Sequence, residues 1–168
     1  MNIYLVTDTH FGHQMLVDKN YRPAGFEQKI INGFEQLKPE DMLIHLGDIC
    51  IGKDEYWHNE VFRKMRCRKI LVLGNHDHKS MTWYNTHGWD FVCQTFSGKF
   101  FGKYVLFSHE PIAWDGKYDV NIHGHHHSSL NHLKEPEYLS IANNRQKLIA
   151  LEHTNYQLVS LRHFLDRL

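Results

Sequence analysis

Histidine is the residue this chain overuses, at 15 of 168 positions. Neutral imidazole is the commonest protein ligand for transition metals and the usual proton carrier near neutral pH. The histidines run from His10 to His163 and do not form a terminal tract, so they do not read as a chelating tag. The informative ones stand beside carboxylates and glycines: Asp8-x-His10, Gly47-Asp48, Gly74-Asn75-His76-Asp77, His109 and Gly124-His125-x-His127. In an extended chain a spacing of two puts Asp8 and His10 on one face, and the same parity links His125 to His127 while sending His126 elsewhere. His123, which precedes the turn glycine, is expected to be buried or to stand behind the ligands. These donors are oxygen and imidazole without thiolate, a set that suits Mn²⁺, Fe, Zn²⁺ or Ni²⁺ better than Ca²⁺ or a structural zinc. Asp8, His10, Asp48, Asn75, His109, His125 and His127 exceed what one tetrahedral ion needs. Two ions about 3.5–4 Å apart with a shared carboxylate would use them all, in the clamp employed for phosphoryl hydrolysis. Asp48 is the natural bridge, because it ends the middle of three early strands and follows a glycine.

Those strands are readable as short apolar runs that stop in glycine or small polar residues. They are Ile3 to Val6 before Thr7-Asp8, Met42 to Leu46 before Gly47-Asp48, and Lys69 to Leu73 before Gly74-Asn75-His76-Asp77. Runs that are apolar throughout suit strands buried on both faces. Between the first two, Ile30, Ile31, Phe34 and Leu37 follow helical spacing until Pro39 blocks continuation. Between the second and third, Trp57, Val61, Phe62 and Met65 do the same on a helix started by Asp54. Alternating strand and helix predicts a parallel sheet, whose carboxyl edge is where ligands bind. The second half changes character. Phe91 to Phe96, Ser97 to Gly102 and Tyr104 to Phe107 read as strands with glycine turns in a hairpin or mixed sheet. Val120 to Ile122 leads into the last histidine motif, 138–142 and 148–151 are further strand candidates, and a terminal helix from Ser160 is expected to bury Leu161, Phe164, Leu165 and Leu168. His45, inside the second run, reads as a core histidine, and the basic residues from Arg63 to Lys69 as the polar face of the second helix and its exit.

Length predicts a single domain over 1–168. A composition of 42% hydrophobic, 23% charged and 13% aromatic residues excludes a disordered or collagen-like chain. Nineteen basic residues against nineteen acidic ones supply no general basic field, so nucleic acid as a partner is left to a local patch. Cys50, Cys67 and Cys93 are too few and too dispersed for a disulfide framework, which points to a reducing cytoplasm. No signal-peptide pattern and no 18-residue apolar stretch point to a membrane. No feature sets an oligomeric state.

The order of all five motifs, spread over residues 8 to 127, resembles the calcineurin-like metallophosphoesterase family. The resemblance implies a four-layer α/β/β/α sandwich of mixed sheets with a dinuclear metal site at the strand carboxyl ends. Asp8, His10, Asp48 and His127 would hold one divalent ion, with Asp48, Asn75, His109 and His125 holding the other; Mn²⁺ is the first choice, with Fe, Zn²⁺ or Ni²⁺ as alternatives. It implies attack on phosphorus by a hydroxide bridging the two ions. His76 would be the catalytic non-ligand histidine at the scissile phosphate, oriented by Asp77. Substrate contact is assigned to Asn75, His76 and Arg22, the last in a loop expected to reach the rim. Ile49-Cys50-Ile51-Gly52 replaces the Val-Asp-Arg-Gly of Ser/Thr protein phosphatases, which disfavours phosphoprotein substrates. The Asp-Thr-His-Phe-Gly-His opening at Asp8 to His13 and the segment from Glu152 to Leu161 are similar to compact single-domain bacterial and phage phosphoesterases. The expected activity is metal-dependent hydrolysis of small or nucleotide-like phosphate esters. A small nuclease of the same superfamily and a nonenzymatic metal-binding scaffold are the rival readings. Trp114 and Tyr118 are expected either to stack on a nucleobase or to pack.

Overall fold

The computed structural model describes residues 1–128, 134, 139, 141 and 143–168. The first half alternates as its periodicity predicts: β1 (Ile3–Val6), α1 (Gln14–Asp18), α2 (Phe26–Glu35), β2 (Met42–His45), α3 (Asp54–Glu60), β3 (Arg68–Val72), α4 (Met81–Thr86) and β4 (Phe91–Cys93). The remainder is β5 (Thr95–Phe100), β6 (Lys103–Ser108), β7 (Val120–His123), β8 (Gln146–Leu148), β9 (Val159–Ser160) and α5 (Leu161–Leu165). One sheet has the order β4-β3-β2-β1-β9, parallel except for β9. The other has the order β5-β6-β7-β8, with β5 antiparallel and the rest parallel. Two mixed sheets with flanking helices make the α/β fold the sequence led us to expect.

The apolar runs explain the stacking. Leu5, Ile44 and Val72 face Val105, Phe107 and Ile122 of the second sheet. Their neighbours Val6, Leu43 and Leu71 face the opposite way and pack with Ile30, Phe34 and Phe62 beneath the helices. A central strand buried on both sides has no polar face, which is why these segments show no alternation. The run from Phe91 to Phe96 divides at Gln94. Phe91 pairs with Ile70 in one sheet and Thr95 with Ser108 in the other, so this residue carries the chain between sheets.

Several helix boundaries differ from expectation. Lys53, in a left-handed conformation, occupies the cap position before α3, and Asp54 is the first helical residue. That helix stops at Glu60, and Phe62–Lys64 forms a separate 3₁₀ turn, because Val61 departs from helical geometry at φ −115° and ψ −70°. α5 is capped by Ser160 Oγ accepting the His163 N–H and buries Leu161 and Leu165, but Leu168 lies beyond its end, 47% exposed. α1 and α4 were not expected; they are too short to show an apolar period. The 148–151 segment is strand only at Leu148, and Leu151 opens a 3₁₀ turn over Leu151–Thr154. The 138–142 candidate falls mostly outside the described residues. Among the described residues no helix is long and apolar enough to cross a membrane.

Candidate metal centre

The parallel strands of both sheets end at one rim. Asp8 and His10 follow β1, Asp48 follows β2, Asn75, His76 and Asp77 follow β3, His109 follows β6, and His125 and His127 follow β7. The backbone there is not extended, contrary to the parity argument. Asp8, His10, Asp48, His125 and His127 have φ of +50°, +44°, +58°, +70° and +50°. Left-handed turns, which are costly for residues with a Cβ, aim the side chains inward and persist because their surroundings hold them. Asp8 N–H donates to Gly47 O at 2.8 Å, His10 N–H to Asp48 O at 3.0 Å and Phe11 N–H to Ile49 O at 2.9 Å, stitching the first two loops together. Gly47, at φ +98°, is required for this approach, since a Cβ there would lie 2.5 Å from Gly74 N and 2.7 Å from His109 Nδ1. Gly124 is equally tight, because its Cβ would overlap Thr7 Oγ1 and Asp8 Oδ2.

Among the described residues two donor clusters result, Asp8–His10–His127 and Asp48–His109–His125. In the first, the Nε2 atoms of His10 and His127 are 3.2 Å apart, and Asp8 Oδ1 lies 3.8 Å from His10 Nε2 and 3.5 Å from His127 Nε2. In the second, His109 Nε2 is 3.1 Å from His125 Nδ1, and Asn75 Oδ1 is 2.9 Å from the former and 3.0 Å from the latter. Asp48 Oδ2 stands between them, 3.6 Å from His10 Nε2 and 3.5 Å from His109 Nε2.

This donor set fits divalent cations. Asp8 Oδ1 is buried without a hydrogen-bond partner, an expensive state for a carboxylate oxygen that a cation would relieve. Burial, with the adjacent His127 charge, pushes His10 far below the ordinary histidine range, and burial, then His109, lowers His125. Imidazoles kept neutral offer lone pairs, which is what coordination needs. Burial, opposed by His109, raises the Asp48 carboxyl, so bringing its negative charge into this site also calls for a counter-ion. His109 Nδ1–H donates to Leu46 O at 2.7 Å, which turns Nε2 toward the cluster, the outer-sphere support typical of metal-binding histidines.

Of the other expected site residues, His76 stands at the rim, while Asp77 and Arg22 make contacts other than those expected. His76 is exposed at the rim, its ring 5.6 Å from that of His10, and its backbone N–H donates to Asp48 Oδ1 at 2.8 Å. Asp77 does not hold the His76 ring. It is buried and accepts N–H groups from Asp48 at 2.8 Å, Ile49 at 3.1 Å and Gly74 at 2.8 Å, so it fixes the Asp48 loop. Arg22 does not reach the rim. It is 3% exposed, and its guanidinium donates through Nε to Glu152 Oε1 at 2.8 Å and through Nη1 to Thr9 O at 3.2 Å, with Nη2 3.1 Å from His127 Nδ1. Phe26 and Tyr156 rings flank it. Glu152, also 3.4 Å from His127 Nδ1, was not foreseen as a site residue. Burial opposes its ionisation, but the His127 hydrogen bond and Arg22 win and depress its pKa to about 2. Burial lowers His127 in turn, yet Glu152 and Asp8 outweigh it and raise the imidazole.

Of the other described histidines, His13 lies with its ring 5.5 Å from that of His10, while His45, His123 and His126 pack behind the centre. His45 is buried, with Nε2 bonded to Thr9 Oγ1 at 2.9 Å and Nδ1 accepting the Gly47 N–H at 3.1 Å. His123 and His126 are buried, the latter edge-on to His125. Tyr118 packs, buried with its hydroxyl donating to Ile112 O at 2.6 Å, whereas Trp114 is half exposed, its indole N–H donating to Tyr118 O at 3.0 Å and Arg145 lying 4.6 Å over its ring.

Fold and donor geometry thus define an α/β protein with two adjacent candidate metal-binding clusters at its strand ends. A family model described as calcineurin-like phosphoesterase matches residues 1–164, and the chain belongs to that family. Over 172 residues it is 30% identical to the uncharacterized protein MJ1445 of Methanocaldococcus jannaschii, a match spanning 95% of this chain and 86% of the relative. The crystal structure of AQ665, a protein of unknown function from Aquifex aeolicus, is similar over 99% of both chains, with 27% identity and a TM-score of 0.76.

Proposed function

We propose that this protein hydrolyses small or nucleotide-like phosphate esters at a pair of divalent cations, Mn²⁺ first among the choices. The observation that carries this reading is the position of Asp48 Oδ2, within 3.6 Å of the first cluster and 3.5 Å of the second. Asp8, His10, Asp48 and His127 would hold one cation and Asp48, Asn75, His109 and His125 the other. Bound there, the cations would polarise the phosphoryl oxygens and supply hydroxide near neutral pH.

The protein's part is placement and proton transfer. Asp77 holds the Asp48 loop through three backbone N–H groups, which keeps the shared carboxylate from turning away. His127 Nδ1 has two neighbours that make opposite demands: Arg22 needs its lone pair and Glu152 needs its proton. If Nε2 gives its lone pair to a cation, Nδ1 carries the proton, and Glu152 becomes the acceptor that fixes the ring. Arg22 then keeps its bonds to Glu152 and Thr9 and acts as a positioning residue. His76, exposed at the rim where an ester could meet it, donates a proton to the departing oxygen or stabilises its charge. The three free cysteines fit a reducing compartment such as the cytoplasm.

The test is hydrolysis of bis(p-nitrophenyl) phosphate, p-nitrophenyl phosphate and a broad phosphate-ester panel by Mn²⁺-loaded protein. Chelator-sensitive turnover of at least one ester is expected. A fully metallated protein inactive on the whole panel would overturn the reading and leave a metal-binding scaffold.

A further inference from the structure

A cavity of about 350 Å³ opens beside the second cluster, lined by Asn75 and His109 on one side and by Gln94, Thr95, Glu110 and Ile112 on the other. Its size is that of a small-ligand site. The wall formed by Glu110 to Ile112 is braced from beneath by buried polar groups. Ser108 Oγ–H donates to Glu110 O at 2.6 Å. Asn121, fully buried, accepts the Ile112 N–H at 2.8 Å and donates from Nδ2 to Ser108 Oγ at 2.8 Å and Leu106 O at 3.2 Å. Ile112 O accepts the Tyr118 hydroxyl at 2.6 Å and Gln146 Nε2 at 2.7 Å. Buried amides spent on a surface loop make a rigid wall, and rigidity lowers the ordering cost of whatever binds against it.

The chemistry of the lining is selective. Gln94, Thr95 and Glu110 are exposed, and among the described residues their side chains make no hydrogen bond or ion pair, although the Glu110 charge acts on the nearby His125 imidazole. No lysine or arginine lines the cavity, and the one charged side chain that does is the carboxylate of Glu110. A phosphate held away from the cations would need a cationic or bidentate partner, and here it would meet a like charge. Hydroxyl and amide groups, in contrast, would find free donors and acceptors on Gln94 and Thr95 and a strong acceptor on Glu110.

We propose that this groove is the subsite for the organic group of the ester, selecting an uncharged hydrogen-bonding group such as a nucleoside and rejecting one that bears a second phosphate. The proposal rests on the phosphoesterase reading and names the substrate class of that site.

Three esters with the same leaving group test it on Mn²⁺-loaded protein: thymidine 5′-(p-nitrophenyl phosphate), its 3′-phosphorylated counterpart, and bis(p-nitrophenyl) phosphate. The neutral thymidine ester should be favoured over the phosphorylated one by about tenfold in kcat/KM, mostly through KM. Glu110→Lys should erase or reverse that ratio, and Gln94→Ala should raise KM for the thymidine ester more than for bis(p-nitrophenyl) phosphate. Glu60→Lys, a change of the same charge on α3 outside the groove, should keep the wild-type ratio. Should Glu110→Lys not fold, Glu110→Gln should still narrow the ratio. Equal cleavage of both thymidine esters by the wild type, or a ratio unmoved by the Glu110 substitution, would overturn the subsite while leaving the hydrolase intact. No cleavage of any of the three would overturn the hydrolase reading on this substrate class and the subsite with it.

Discussion

Asp8, His10 and His127 make up a closed half of the centre, whereas Asp48, Asn75, His109 and His125 make up an open one. Behind the closed half stand Glu152 and the buried Arg22. The open half borders the cavity through Asn75 and His109. Similar donors are therefore finished differently: behind His127 in the first half stands a carboxylate, whereas behind His109 in the second stands the Leu46 carbonyl, and that half faces the cavity. On the proposed reading, the difference would give retention of a cation to one half and reception of substrate to the other, with Asp48 between them.

Breaking the shared residue should do the most damage. Asp48→Asn should reduce turnover about a thousandfold, roughly 4 kcal/mol of transition-state stabilisation, and weaken both cations, as measured by metal analysis alongside hydrolysis. His76→Ala should leave both cations in place and cost about 10²–10⁴-fold in turnover, the range for a general acid, with less loss on p-nitrophenyl esters than on alkyl esters. Metal content falling by half in that variant would make His76 a ligand. Glu152→Gln sharpens the contrast between halves: it should weaken one of two cations about 10–100-fold and spare the other by calorimetric titration, whereas equal weakening of both would remove the distinction.

The smallest effect separates histidines arranged for a cation from those packed in the core. His58 is buried among Phe62, Trp83, Tyr84 and Trp89, and burial lowers its pKa to about 4 despite a hydrogen bond from Nδ1 to Asp54 O. The unfolded chain takes a proton on this residue below about pH 6.5, while the fold refuses it until about pH 4. The stability this confers is present above pH 6.5 and is lost as pH falls toward 4, at up to about 1.4 kcal/mol per pH unit. His58→Phe should flatten that part of the dependence of Tm on pH between 7 and 5. An unchanged slope would show that His58 is protonated as readily in the fold as outside it.

The residues that meet at the centre were legible because each follows a short strand that ends in glycine or small polar residues. Their conformation was not. An alternating spacing suggests an extended chain, but positive φ at Asp8, His10, His125 and His127 is what aims those side chains, and only tertiary contacts such as the Asp8 N–H to Gly47 O bond hold it. Arg22 illustrates the same limit. An arginine beside Asn20, Tyr21 and Pro23 reads as an exposed loop residue, and the carboxylate that buries it is 130 positions away. Asp77 was placed in the right motif and given the wrong partner, since adjacency to His76 carries no information about the backbone groups of Asp48 and Ile49 that it binds. The division of 91–96 at Gln94 was hidden because an apolar run looks alike in either sheet.

The central claim is that two cations share Asp48. Stepwise addition of Mn²⁺ to metal-free protein, followed by electron paramagnetic resonance and by hydrolysis of bis(p-nitrophenyl) phosphate at each step, tests it most directly. The expected result is saturation at two ions per chain with an exchange-coupled spectrum, activity rising with the coupled species, and loss of coupling in Asp48→Asn. Saturation at a single ion, or full activity from two ions that are not coupled, would contradict it.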